Sequence, residues 1–230
     1  MIVGERKPFS EILSMVDNYS RILILGCGSC VTICMAGGEE EVKILGSQLR
    51  LALRRNGKNV EVKQFMSLRQ CDDEYMDDPV LIEKVKEADI VVSMACGAGV
   101  QHASTFFNRI IDEGLVRVVP ALNTTFMGAN IDVGEWEERC VGCGDCVLEK
   151  TAGICPITRC AKSLLNGPCG GSSDGKCEIS EDTECAWHLI IERLNALGEL
   201  DRVRSVEPYK DWRPSHSGGL RKTVREDAKI

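Results

Sequence analysis

The sequence predicts an α/β protein: a small doubly wound parallel-sheet domain over residues 1–130, then a cysteine-rich, ferredoxin-like metal-cluster domain over 131–230 with a C-terminal helix and tail. Three observations predict it. Short β-branched and aliphatic runs alternate with amphipathic helical stretches in the first half. Beyond Asn130 that periodicity gives way to cysteine, glycine and charge. The 13 cysteines fall into two groups, five before this boundary and eight after it.

The strand candidates are RILILG (21–26), NVEVKQFM (59–66), DIVVSMA (89–95) and VRVVPAL (116–122). Between them, 39–55 sets Val42, Leu45, Leu49 and Leu53 on one stripe and stops at Asn56-Gly57. Further helices are predicted over 80–88 and 103–113, the latter closing at Gly114. Strands alternating with helices imply right-handed crossovers and a parallel sheet covered on both faces. Downstream, NGPCGGSSDGKC (166–177) is too rich in turn formers for regular structure, and the segment has little apolar matter for a core, so bound metal is expected to hold it. A helix resumes at AWHLIIERLNALGEL with Trp187, Ile190, Ile191, Leu194 and Leu197 on an apolar face. The tail after Tyr209 reads as loosely ordered or reserved for a partner.

Composition narrows the function classes. A formal charge of −7 with no basic stripe argues against nucleic acid. The opening MIVGERKPFS lacks an apolar h-region and no apolar run approaches the roughly 20 residues of a membrane span, which predicts a cytoplasmic protein. Thirteen cysteines, an odd number in a reducing compartment, then point to metal rather than disulfides.

In LGCGSCVTICMAGG, Cys27, Cys30 and Cys34 follow the first strand, and Cys96 follows the third at the same carboxyl edge, where open α/β sheets bind ligands. With strand order 2-1-3 these two ends are neighbours and four thiolates can converge. Cys71, beyond strand two, competes for the fourth place; Cys96 is favoured because it lies closer to its strand end. Other readings stand beside this one. Gly26-Cys27-Gly28 begins a dinucleotide fingerprint, but Val31 occupies the third glycine position and no acidic residue ends the second strand. Cys34 and Cys71 are also read as buried small hydrophobes. A nucleophilic cysteine is disfavoured because none of His102, His188 and His216 adjoins a cysteine in sequence.

The second group is Cys140, Cys143, Cys146, Cys155, Cys160, Cys169, Cys177 and Cys185. Its first three follow C-x2-C-x2-C and Cys155 precedes Pro156, as in a bacterial ferredoxin run, although eight residues separate Cys146 from Cys155 instead of three. Eight thiolates suit two four-ligand clusters, and the division among them is open. The expectation is up to three [4Fe–4S] clusters in the chain, with zinc replacing one as the fallback.

CVGCGDCVLEKTAGICPITRCAKSLLNGPCGGSSDGKCEI, followed by ECAWHLIIERLNALGELDRV and PYKDWRPS, resembles the carboxyl-terminal domain associated with methylenetetrahydrofolate reductases. With LILGCGSCVTICMAGGEEEV, residues 21–214 are similar to the small iron–sulfur subunits (MetV type) of the two-subunit reductases of acetogenic and related anaerobic bacteria. The resemblance implies a cytoplasmic accessory in the methyl branch of the Wood–Ljungdahl pathway. Such a subunit passes electrons to a flavoprotein that reduces methylenetetrahydrofolate to methyltetrahydrofolate, and takes them from a donor such as a ferredoxin or a flavin oxidoreductase. The chain is too short to add a TIM barrel of roughly 250 residues, so catalysis on folate is assigned to the partner. A competing expectation is a metal-stapled adaptor that only stabilises the flavoprotein. Docking is expected from the carboxyl-terminal half, through the 187–200 stripe with Tyr209 and Trp212, unless the stripe packs on the chain's own α/β domain.

Overall fold

The computed structural model describes residues 1–112, 114–215 and 219–228, which form two compact units, Met1–Glu137 and Glu138 onward. Two residues named above, Glu113 at the expected end of the third helix and His216, lie outside the described residues.

The first unit runs β1 (Ile2–Arg6), α1 (Phe9–Val16), β2 (Arg21–Cys27), α2 (Cys30–Ile33), α3 (Glu39–Arg55), β3 (Glu61–Ser67), α4 (Asp73–Met76), α5 (Pro79–Glu87), β4 (Ile90–Met94), α6 (Gly97–Ile110), β5 (Val118–Pro120), β6 (Leu122–Asp132) and the start of β7 (Glu135–Cys140), whose residues from Glu138 on belong to the second unit. Four strands form a parallel sheet in the order β3-β2-β4-β5. Side chains alternate across a strand, so β2 serves two cores at once. Ile22 and Ile24 face one side with Ile12 and Val16 of α1 and Val42, Leu45, Leu49 and Leu53 of α3. Leu23 and Leu25 face the other with Leu81 and Val85 of α5 and Ala103, Phe106 and Phe107 of α6. That continuous apolar run is what a strand buried on both faces requires. Each such side chain contributes about 1.5–3 kcal/mol on burial.

Local chemistry sets the helix ends. Asp78 accepts from the amides of Val80 (2.8 Å) and Leu81 (3.1 Å) with Pro79 at the first helical position. α3 opens on Glu39, Glu40 and Glu41 and closes on Arg54 and Arg55, matching the helix dipole. Gly57 then takes φ +75°, the left-handed stop that Asn56-Gly57 announced.

A three-stranded sheet, β1-β6-β7, was not legible as such in the sequence. β1 pairs antiparallel with β6, Ile2 opposite Met127 and Arg6 opposite Leu122. β6 turns into β7 through Val133 and Gly134, a two-residue connection suited to antiparallel neighbours. The expected strand 116–122 divides: Val118–Pro120 lies on the edge of the parallel sheet, where a residue without an N–H is tolerated, and Leu122 begins β6. The third expected helix starts earlier, at Gly97.

The second unit contains α7 (Pro156–Arg159), an antiparallel pair β8 (Lys176–Cys177) and β9 (Ser180–Glu184), α8 (Ala186–Ala196) and a 3-10 turn over Leu200–Arg204. A small core corrects the expectation of a coreless segment. Trp187, Ile190 and Leu194 of α8 are buried with Ile154, Cys185 and Ala186, and Cys160 and Leu164 pack against them. The Trp187 indole donates to the Leu164 carbonyl at 2.9 Å. The expected docking stripe is thus largely spent inside its own unit; Leu197 remains exposed.

The tail is likewise part of the unit. Asn166 and Glu207 exchange two hydrogen bonds, Nδ2 to Glu207 O at 2.9 Å and Glu207 N to Oδ1 at 2.7 Å. Lys210 is 8% exposed and donates to the Asp145 carbonyl at 2.8 Å. Arg221 donates to the carbonyls of Gly142 (2.9 Å) and Pro214 (2.6 Å). Tyr209, by contrast, is exposed. No helix among the described residues is long and apolar enough to cross a membrane.

Candidate metal centres

All 13 cysteines are free thiols. Among the described residues no group of three or more His, Cys, Asp or Glu side chains is drawn close enough to hold a metal ion. What the fold does fix is where each thiol stands.

In the first unit β2 lies between β3 and β4, so Cys27 at its carboxyl end has the ends of both neighbours beside it. The Gly28 amide donates to Ser67 O at 2.9 Å, tying the β2 turn to the end of β3. Cys30 opens α2 and is half-buried; Cys96 is the N-cap residue of α6 and also half-buried. The loop after β3 stays at this edge because of Gln70, which is fully buried. Its Nε2 donates to Leu25 O (2.9 Å) and Gly26 O (3.0 Å), and Ser93 Oγ donates to its Oε1 at 2.7 Å. Cys71 follows directly and is exposed. Although the residue is exposed as a whole, partial desolvation of its thiol pushes it above its ordinary range, and the charges of Cys96 and Cys27 add to that.

Cys34 closes α2 and is hydrogen-bonded to Gly4 of β1. It is 6% exposed, its Sγ accepts from Gly4 N at 3.4 Å, and it lies within donating distance of Gly4 O (3.5 Å) and Val31 O (3.6 Å). Burial raises its pKa. The dinucleotide reading meets a physical obstacle: only a four-residue helix follows Gly28, and the long α3 begins with three carboxylates where a pyrophosphate would need bare amides.

In the second unit, two glycine turns direct amides at sulfur. Gly142 N donates to Cys140 Sγ at 3.3 Å, and Gly171 N donates to Cys169 Sγ at 3.4 Å. Both turns use left-handed glycines, Gly142 at φ +63° and Gly170 at φ +79°. Cys143 donates to Asp145 O at 3.6 Å, and Cys146 is exposed. Cys155 and Cys160 flank α7, Cys177 ends β8, and buried Cys185 caps α8 with its amide on Gly175 O at 2.8 Å.

Residues 119–213 match the family model described as methylene-tetrahydrofolate reductase C terminal. The matched span covers all eight cysteines of the second group and the tail through Trp212, and excludes Cys27, Cys30, Cys34, Cys71 and Cys96. No curated protein and no solved structure matches the chain. The methylene-tetrahydrofolate reductase C-terminal family therefore bears on the second cysteine group, whereas the first must be judged on its own geometry. Two contributors had little sequence signal. Gln70 carries no periodicity, and Lys210 sits in a segment whose prolines and charges read as disorder.

Proposed function

We propose that this chain is a cytoplasmic iron–sulfur electron-transfer partner of a flavoprotein methylenetetrahydrofolate reductase, acting in one-carbon metabolism of the Wood–Ljungdahl type. The observation that carries the reading is the family match over 119–213, which takes in eight free thiols. The donor set fits the group: soft thiols with no disulfide partner, arranged on glycine turns, suit iron–sulfur clusters. A bound cluster supplies one-electron storage at a potential set by burial and by hydrogen bonds to sulfur, and a flavin can gather two electrons for a hydride.

The chain's own residues would do the holding and tuning. Cys140, Cys143, Cys146, Cys155, Cys160, Cys169, Cys177 and Cys185 are the candidate ligands of the second unit. The amides of Gly142 and Gly171 stabilise negative charge on the sulfurs of Cys140 and Cys169. Buried Lys210 and the Arg221 guanidinium both donate to carbonyls of the 140–146 loop; Lys210 also pairs with the Asp145 carboxylate at 3.3 Å, which leaves Arg221 to offset part of the charge that several thiolates bring. Upstream electrons would come from a ferredoxin or a flavin oxidoreductase.

A second reading, a zinc-stapled adaptor, draws on the same glycine turns, since Cys-x2-Cys pairs also build structural zinc sites. Anaerobic co-expression with a flavoprotein reductase separates the two. Electron transfer predicts co-purification and bleaching of the flavin by reduced chain in stopped flow. An adaptor predicts co-purification with no dependence of flavin reduction on the chain's metal; failure to co-purify contradicts both.

A further inference from the structure

Five thiols belong to the first unit, and a four-thiolate site leaves one over. The fold gives a physical reason to choose it. Gln70 bonds both Leu25 and Gly26 of β2 and Ser93 of β4, so the loop after β3 is stapled across the ends of two strands instead of leaving the sheet. The first turn of α6, which Cys96 caps, packs directly on this staple: a Cβ on Gly99 would stand 3.2 Å from Gln70 Cβ. Cys71 is therefore held by its neighbour at the edge where β2 delivers Cys27 and β4 delivers Cys96. Cys30, three residues beyond Cys27, cannot leave that edge. We propose that the metal site of the α/β unit is made by Cys27, Cys30, Cys71 and Cys96, and that Cys34 is a structural thiol.

The surroundings of Cys34 argue its side of the assignment. Two carbonyl oxygens, Gly4 O and Val31 O, lie at hydrogen-bonding distance from its sulfur. A thiol satisfies one of them with its proton, whereas a thiolate would keep the Gly4 amide at 3.4 Å but be repelled by both oxygens, and only the thiolate ligates. Burial disfavours the anion at Cys34 as well.

The assignment rests on the cluster reading above and is tested separately from it. Anaerobically purified full-length chain is compared with its Cys34→Ser, Cys71→Ser and Cys96→Ser variants by iron, sulfide and zinc analysis and by low-temperature EPR after dithionite reduction. Cys71→Ser and Cys96→Ser should each lose about four iron and four sulfide, or one zinc, with the same EPR component missing. Cys34→Ser should keep wild-type metal. Cys71 is exposed, so a native circular dichroism spectrum for Cys71→Ser shows that its loss is not misfolding. Loss of that component from Cys34→Ser with retention in Cys71→Ser would overturn the assignment, as would unchanged metal in all three variants. Metal-free wild-type protein would instead remove the cluster reading on which it rests.

Discussion

Replacing Gln70 with leucine should loosen the carboxyl edge of the parallel sheet by a predictable amount. Leucine conserves most of the volume and removes every polar contact. Three hydrogen bonds disappear, at 2.9, 3.0 and 2.7 Å, in a place with no access to water. At about 1 kcal/mol net for each, the loss is about 3 kcal/mol, and the stranded Ser93 hydroxyl adds to it unless it turns to another acceptor. Hydrogen exchange read by mass spectrometry measures this locally, without assuming that both units unfold together. About 3 kcal/mol corresponds to roughly 100-fold faster exchange of the slowest amides in peptides spanning β2 and β4. Peptides spanning α8, in the other unit, should be unaffected. A change under about threefold in β2, equivalent to well under 1 kcal/mol, would show that Gln70 is not a staple.

Other outcomes follow from the same structure. Deleting residues 207–230 removes Lys210, whose charge-assisted bond to Asp145 O is worth about 1.5–3 kcal/mol, so exchange over 138–150 should quicken at least about tenfold and metal in the second unit should fall; unchanged exchange and metal would mean the tail is dispensable. Calorimetric titration with NADH or NADPH at millimolar nucleotide should show no saturable binding, because the first turn of α3 is acidic; a defined stoichiometry would refute it. Asp89 is held below the usual carboxylate range, first by its side-chain hydrogen bonds from Arg21. A depressed carboxylate contributes stability that is present above its unfolded pKa and lost as pH falls through the folded one. Asp89→Asn should thus be destabilised near neutral pH, with the gap to wild type in urea unfolding closing as pH drops below about 4; a gap independent of pH would contradict it.

The parallel sheet was legible because β2, β3, β4 and α3 carry strong periodic patterns. α3 occurs with the expected limits, since the Val42–Leu53 stripe and Asn56-Gly57 act together. β1, β6 and β7 were not, for a physical reason: IVGER is too short to show a period, and LNTTFMGANID, mostly exposed or half-buried, mixes turn formers into a strand. The start of α6 was missed because CGAG reads as a loop, whereas Gly99 is needed for close approach to Ala95 and Gln70. At the candidate site, the cysteines and the strand ends that present them could be read directly. What could not be read was the path of the chain after β3, decided by one buried amide, and the ordering of the tail, which depends on ion pairs and backbone contacts made across more than 40 residues, such as Lys150 with Glu207.

The central claim is that these thiols hold redox-active iron. Its most direct test is iron, sulfide and zinc analysis of the anaerobically purified chain, together with low-temperature EPR before and after reduction. The electron-transfer reading predicts iron and sulfide in equal amounts, up to about twelve of each per chain for three clusters, and a signal that appears on reduction. Zinc with negligible iron and sulfide, and no signal after reduction, would contradict it.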